Sequence, residues 1–364
     1  MQTDIQLKSY KYQLRLNKSQ RVIVDRWISG TRYIYNIALQ TKVWAWEGAR
    51  ISLSCYDLQK QLTEVRGAFD WVNEIPRDVC NMVLERLDAA YKSFFTNIKN
   101  KVKTEVRYAG RLRWNSINFK SCKYAGGMIF QLPKLGKVRI ENDLVPDGAE
   151  CRTCTISRKD GKYYLSVAFK MPIEQLPKTG KSIGIDVGLA YFSADSDGNT
   201  FNLPYDLKRH EARLRILNRA IARRKKGSIR RNEALRQRRK LYDKISQQRN
   251  HFLHEITNYY VSNYDLICVE NLKVKNMVKN KNLSKSILNS CWSNFRRILE
   301  YKAKWYGKKI VAVMPHFTSQ MCNLCGHTEA DNRKSQSVFL CLNCGHSENA
   351  DINAAKNILK AAGV

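Results

Sequence analysis

Cysteine spacing is the most specific chemical signal in this chain. Cys322-Asn-Leu-Cys325 and Cys341-Leu-Asn-Cys344 form two CxxC pairs with fifteen residues between them, and Gly326 and Gly345 follow directly. A glycine there permits the tight turn in which backbone amides reach the thiolates, so the pattern reads as a pair of zinc-ribbon knuckles. Four thiolates complete a tetrahedral shell and leave no open position, which makes this zinc structural rather than catalytic. His327 and His346 lie beside the cysteines but are not needed as ligands. Cys151-Arg-Thr-Cys154 is a different case. It sits alone on a β-like segment, where residues three apart face opposite ways, and is expected to be structural.

The second constellation is acidic. Asp186 ends the apolar run Ser182-Ile-Gly-Ile-Asp186, Glu270 ends Asp265-Leu-Ile-Cys-Val-Glu270, and Asp351 opens the helical pattern Asp351–Leu359. Ligands of open α/β sheets gather at the carboxyl ends of strands. Two carboxylates there and a third from a packed helix could hold a pair of Mg²⁺ or Mn²⁺ ions about 3.5–4 Å apart, suited to phosphodiester hydrolysis. Each acid has an ordinary alternative: Asp186 a turn residue, Asp351 a helix N-cap, Glu270 a solvated strand end. Together these alternatives lose ground to the metal site.

Charge names a polyanionic partner. The 364 residues carry 64 Lys plus Arg against 32 acids, a net +32, with 43% hydrophobic residues. That is a folded composition whose self-repulsion a polyanion would relieve, and nucleic acid does so with release of counterions. The strongest local feature is Arg223, Arg224, Lys225, Lys226, Arg230, Arg231, Arg236, Arg238, Arg239 and Lys240, opposed by Glu211, Glu233 and Asp243 alone. Leu214, Leu217 and Ile221 before Gly227, and Leu241, Ile245, Phe252 and Ile256 after it, keep helical spacing. The stretch is therefore expected to be two helices presenting a phosphate-tracking surface. No apolar run approaches the ~20 residues of a membrane span, no Lys/Arg-rich amphipathic anchor points to a membrane surface, and Met1–Leu16 lacks a signal-peptide core. An intracellular, cytoplasmic protein is expected, in which eleven cysteines serve as thiols and metal ligands.

Several elements must position these groups. Tyr10, Tyr12, Leu14 and Leu16 alternate with Lys11, Gln13 and Arg15 as a strand, and Asn17 with Gln20 caps the helix that follows. Helical periodicity then runs to about residue 103, with Pro76 in a first turn and Val79, Val83, Leu87, Tyr91, Phe94 and Ile98 as an apolar stripe. Residues 106–170 are β-like. Gly126-Gly127 and Leu135-Gly136 break them, and Asp160-Gly161 joins Thr153–Ser157 to Tyr163–Phe169 as a hairpin. This suggests a β-barrel interrupted by helices. Met171–Lys181, with two prolines and a glycine, reads as a linker. Beyond it, strands at Ser182–Asp186, Tyr191–Ala194, Asp265–Val269 and Lys309–Met314 alternate with helices, the mark of an α/β sheet.

These segments resemble a known family. Ile183-Gly-Ile-Asp186-Val-Gly-Leu, Val269-Glu270-Asn-Leu, Thr318-Ser-Gln-Met-Cys322-Asn-Leu-Cys325-Gly and Asn349-Ala-Asp351-Ile-Asn-Ala-Ala-Lys-Asn-Ile are similar to TnpB, the transposon-encoded relative of type V CRISPR effectors. So are Tyr10–Leu16, Arg32-Tyr-Ile-Tyr-Asn36, Arg223–His254 and Trp292–Gly307. The resemblance runs nearly full length and is densest over 181–359. It implies an α/β RNase H-like (RuvC-type) nuclease domain over 182–316 and 348–364, with an inserted zinc ribbon at 317–347. Preceding it would be a β-barrel wedge domain at 1–16 and 104–172, interrupted by a helical recognition lobe at 17–103, and a linker at 173–181. Asp186, Glu270 and Asp351 match the catalytic acids, in the Asp…Glu…Asp order of RuvC rather than the Asp…Asp…Glu of RNase H-like transposases. Some members have Asp-Arg-Asp where this chain has Asn349-Ala350-Asp351. The resemblance further implies a guide RNA from the transposon end, double-stranded target DNA cut beside a short adjacent motif, and a monomeric protein in that complex. A catalytically silent RNA-guided repressor and a compact type V CRISPR effector stay open as alternatives.

Overall fold

β1 (Asp4–Arg15) is longer than its sequence signature, and its Tyr12 and Leu14 are buried, as is Leu16 beyond it. Asn17 then caps α1 (Lys18–Ala49). Its side chain accepts the Gln20 N–H at 2.8 Å while Gln20 Oε1 accepts the Asn17 N–H at 3.2 Å, the reciprocal capping pair the sequence announces. α2 (Cys55–Ala68), α3 (Asp70–Glu74) and α4 (Arg77–Lys99) follow. Pro76 is the N-cap of α4 and stands one residue before its first turn. Val79, Val83 and Leu87 bury the first half of the apolar stripe, but Ile98 is 51% exposed, so the last turns of α4 run beyond the core. The structure, a computed structural model, describes residues 4–142, 144–204, 206–272, 277, 291–315, 317–335 and 337–363, which divide into the units Met1–Ile173 and Glu174–Val364.

The first unit closes its sheet on itself. β2 (Ser116–Phe119), β3 (Lys123–Tyr124), β4 (Ile129–Leu132), β5 (Gly136–Ile140), β6 (Glu150–Lys159) and β7 (Lys162–Ile173) join β1 in the antiparallel order β2-β6-β7-β1-β5-β4-β3. The two outermost strands, β2 and β3, are separated in sequence only by Lys120, Ser121 and Cys122. Four peptide steps reach at most ~14 Å, whereas the edges of a flat seven-stranded sheet would stand ~29 Å apart. The sheet must therefore curl into a barrel, and Phe119, Phe130, Ile140, Ile156, Leu165 and Phe169 fill it at 0% exposure. Asp160 (φ 50°) and Gly161 (φ 78°) make the β6–β7 turn, both left-handed as a two-residue hairpin of this twist requires. Two sequence expectations need correction. Met171–Ile173 is strand, paired with β1 from Gln6 back to Asp4, so the connection between units begins only after it. Cys151 and Cys154 do not face opposite ways. The β6–β7 register shifts between them, so that Cys151 opposes Phe169 and Cys154 opposes Val167. One extra residue restores the parity, and the bulge turns both thiols to the same face.

In the second unit the order is β10-β9-β8-β11-β12. It comprises β8 (Ser182–Asp186), β9 (Ser193–Asp195), β10 (Thr200–Phe201), β11 (Leu266–Glu270) and β12 (Lys309–Val313). β8, β11 and β12 are parallel, and β9 runs antiparallel to β8. Ile183, Ile185, Ile267 and Cys268 are buried to 1% or less, the continuous apolar run of strands covered on both faces. α5 (Asp206–Arg223), α6 (Ile229–Asn263) and α7 (Trp292–Tyr306) lie between the strands, and α8 (Ala350–Ala361) ends the unit. A small hairpin, β13 (Val338–Leu340) with β14 (Ser347–Asn349), precedes α8. α8 packs so tightly on β8 that a Cβ on Gly184 would come 2.1 Å from Ala355 O. Ahead of β8, Asp265 accepts the N–H groups of Thr179 (2.8 Å) and Gly180 (2.7 Å) and the Lys308 ammonium (2.7 Å), which also reaches Pro177 O. Among the described residues no helix is long and apolar enough to cross a membrane.

Candidate metal centres and nucleic-acid surface

β8 and β11 are parallel neighbours, in register from Leu266↔Ser182 to Val269↔Ile185. Their terminal residues, Asp186 and Glu270, therefore leave the sheet at the same end. α8 brings the third acid to them. Its N-cap is Asn349, whose side chain accepts the N–H groups of Asp351 and Ile352, so Asp351 is not spent as a cap. A Cβ on Gly188, two residues past Asp186, would lie 3.7 Å from Asp351 Oδ2, which puts the start of α8 against the loop leaving β8.

The site is short of positive charge. Burial, then the charges of Glu270 and Asp351, push the Asp186 carboxyl up to about 7, against the pull of Arg333. Glu270 is raised by burial although the Thr318 hydroxyl donates to it, and Asp351 is raised by burial against Arg333. Asp351 is 3% exposed. Its Oδ1 accepts from Arg333 Nη2 at 2.9 Å, while its Oδ2 is buried with no hydrogen-bond partner. A buried carboxylate oxygen left bare beside two further acids fits a hard divalent cation. The three do not form one tight cage: among the described residues, only the four ribbon cysteines have ligand atoms all within 4.8 Å of one another. Neither Arg333 nor Thr318 is marked by the sequence as a site residue, because each reaches the acids only through the path of the ribbon.

That ribbon carries the second centre. The thiols pair across it, Cys322 with Cys344 at 3.7 Å and Cys325 with Cys341 at 3.6 Å. Both knuckles are built alike: Cys322 N–H donates to His327 O and Gly326 N–H to Cys322 O, and Cys341 and Gly345 repeat the pattern with His346. Gly326 (φ 76°) and Gly345 (φ 70°) take the left-handed turn expected of them. The His327 backbone N–H pulls the exposed Cys325 thiol down to about 6, whereas Cys344, drawn down by the His346 backbone N–H, is pushed up to about 12 by Cys325; thiols this close cannot all ionise without a cation among them. His327 and His346 pair instead with Glu329 and Glu348. Two buried asparagines of α8 grip the first knuckle. Asn353 donates to Met321 O and accepts from Asn323, while Asn357 donates to Thr318 O and Met321 O. Their i, i+4 spacing on an otherwise apolar helix face was the available signal.

The basic stretch forms an antiparallel helix pair. Ser228 caps α6 just after Gly227 (φ 85°), at the expected break. Arg223, Arg224, Lys225, Lys226, Arg230, Arg239 and Lys240 are exposed, and Arg231 and Arg238 are half-buried. Arg231 Nε donates to Ile221 O and Arg238 Nη1 to Asn218 Oδ1, so these two tie α5 to α6. Beside Glu270 a cleft of about 170 Å³, walled by Val269, Leu272 and Phe295, carries Arg296 and Arg297 on α7.

Known proteins match this arrangement along its whole length. Residues 1–50 match a profile described as a helix-turn-helix domain, residues 161–281 one described as "Probable transposase" (OrfB of IS605), and residues 292–358 one described as "Cas12f1-like, TNB domain". The first description does not fit the geometry, because residues 4–15 are a strand and 18–49 one unbroken helix. "Putative RNA-guided DNA endonuclease InsQ" of Escherichia coli (strain K12) is 30% identical over 98% of this chain and 92% of its own length. "CRISPR-associated endodeoxyribonuclease Cas12f1" of Sulfoacidibacillus thermotolerans is 28% identical over 55% of this chain and 50% of its own. The fold is shared with the chain in a "Cas12f1-sgRNA-target DNA complex", at a TM-score of 0.60 and 14% identity over 97% of this chain and 98% of that one. With full-length similarity to InsQ, the IS605 transposase profile across its middle and the Cas12f1-like TNB profile at its end, this chain belongs to the TnpB/IS605 OrfB family.

Proposed function

We propose that this protein is an RNA-guided endonuclease that cuts double-stranded DNA next to a short adjacent motif by metal-dependent phosphodiester hydrolysis. The observation that carries this reading is the convergence of Asp186, Glu270 and Asp351, with Asp351 Oδ2 buried and bare. Asp186, Glu270 and Asp351 would hold Mg²⁺ or Mn²⁺, which supplies an activated water and stabilises the leaving oxygen. Arg333 holds Asp351 in place, and the Thr318 hydroxyl does the same for Glu270. The guide RNA is supported by relatives named for RNA-guided cleavage that span the whole chain and by the net charge of +32. In this reading base pairing selects the target and the protein reads duplex shape and the short motif.

The domain assignment belongs to the same proposal. Residues 182–316 and 348–364 form the RuvC-type domain and 317–347 the zinc ribbon. The segments 1–16 and 104–172 form the wedge barrel, which β7 carries on to Ile173, and 17–103 the recognition lobe, with the connection running from 174 to 181. The protein acts as one copy on its RNA and DNA. The test is to purify the chain from cells that also carry its flanking DNA and to sequence the RNA that comes with it. Cleavage of plasmids bearing the matching target and randomised neighbours is then measured with Mg²⁺. One RNA species with a constant scaffold, and cleavage lost in Asp186→Asn, are expected. Heterogeneous RNA would overturn the guided reading. Equal cleavage by Asp186→Asn would overturn the metal site.

A further inference from the structure

The barrel closes along a line without a ladder. β2 and β3 stand at opposite ends of the hydrogen-bonded strand order, joined only through Lys120–Cys122. Side chains must hold that seam, and three thiols meet at it. Cys122, in the connection itself, is 5% exposed; Cys154, opposite Phe119 of β2, is 1% exposed; Cys151 is half-buried. The β6 bulge brings Cys151 and Cys154 to one face. Counted on from the pair Phe119↔Cys154, Cys122 falls level with Cys151 across the β2–β6 edge, and each of these thiols perturbs the other's proton affinity. All eleven cysteines are unbridged, and this trio, unlike the ribbon four, does not form a metal-sized cage among the described residues.

We infer that the seam is an oxidation site, where a peroxide-class oxidant joins Cys122 to Cys151 as a disulfide that locks the barrel shut. Cys151 is the accessible partner. Peroxide oxidises its sulfur to the sulfenic acid with release of one water, and the Cys122 sulfur then displaces the hydroxyl as a second water, each thiol giving up its proton. A dithiol reductant reverses the bond. Cysteines level with one another on neighbouring strands of one face are placed for a disulfide, and Cys154, turned to the same face by the bulge, stands ready to exchange into the pair. Cys151 draws the Cys122 thiol down, but Cys154 and burial push it up to about 12, and contact with Cys122 raises Cys151 in turn. Few thiolates form at neutral pH, so the clasp closes slowly and only under sustained oxidant. The closed loop would restrict the unfolded barrel far more than the folded one.

The test uses the full chain with its bound RNA, held in dithiothreitol or treated with hydrogen peroxide, then alkylated, digested and mapped by mass spectrometry. A crosslinked peptide pair containing Cys122 and Cys151 is expected, with an unfolding midpoint about 5–10 °C higher that dithiothreitol reverses. Cys122→Ser should abolish both changes, and Cys151→Ser should divert the link to Cys154. If Cys122→Ser does not fold, the wild-type peptide map decides alone. Alkylated Cys122 and Cys151 after peroxide, or both overoxidised without a crosslink, would overturn the inference. So would the same rise in midpoint in Cys122→Ser, because the ribbon thiols remain in that variant.

Discussion

Asp186 is the residue on which the metal reading turns. Its carboxyl holds a proton more tightly in the fold, at about 7, than at the ordinary 3.8. The folded state therefore binds more protons than the unfolded one between those values, and its stability falls as pH rises through that window. A metal-free preparation is expected to melt earlier at pH 8 than at pH 5. Mg²⁺ should remove much of that slope, and Asp186→Asn should flatten it while abolishing cleavage; a thermal-shift series at several pH values checks all three. Arg333 acts in the opposite sense, because it lowers both Asp186 and Asp351. Arg333→Met is accordingly expected to move the acidic limb of the pH–cleavage profile upward, with RNA binding unchanged. Asp186, Glu270, Asp351 and the four cysteines were legible in the sequence because strand ends and CxxC spacing are local patterns. Arg333 was not. It meets Asp351 eighteen residues away, and nothing in its own neighbourhood marks it.

Elements explain why the acids meet at all. The sequence reads Gly184 merely as part of an apolar strand, yet it is the point where α8 touches β8, and a methyl group there would strike backbone at 2.1 Å. Gly184→Ala is expected to cost about 3 kcal/mol and to carry Asp351 off its partners. An unfolding titration should register the loss, and RNA should still bind while cleavage fails. Asn353 was legible only as part of a motif; its hydrogen bonds to the first knuckle supply the reason. The bulge between Cys151 and Cys154 lay beyond sequence reasoning, since a register shift depends on the partner strand and leaves no mark of its own in β6. Capping was the opposite case: Asn17 with Gln20 was readable because a capping box involves residues only three apart, and Gly227 marked the break that Ser228 caps.

At the scale of the whole molecule, charge and the four-cysteine centre give separate handles. Replacing Arg223, Lys225, Arg230 and Lys240, all exposed, by alanine is expected to lower the salt dependence of nucleic-acid binding by roughly 0.7–0.9 for each phosphate no longer neutralised. Arg231→Ala and Arg238→Ala should instead loosen the α5–α6 pair, seen as a lower melting temperature with little change in that slope. A thiol-competing metal chelator is expected to unravel the ribbon and release Arg333 from Asp351. Proteolysis should then cut within 317–347 while the fragment Met1–Ile173 stays resistant. The barrel itself was only half legible, because one alternating strand at the start of a chain cannot announce its neighbours. That strand lies in the middle of the sheet, between β7 and β5, and its main partner ends at Ile173. On the ribosome, at ~5–20 residues per second, β1 must therefore wait roughly 10–30 s for the strand that completes it. α1 to α4 are synthesised and can pack in the interval. Lys8, Lys11 and Arg15 along the waiting strand are charges that discourage it from pairing with a stranger.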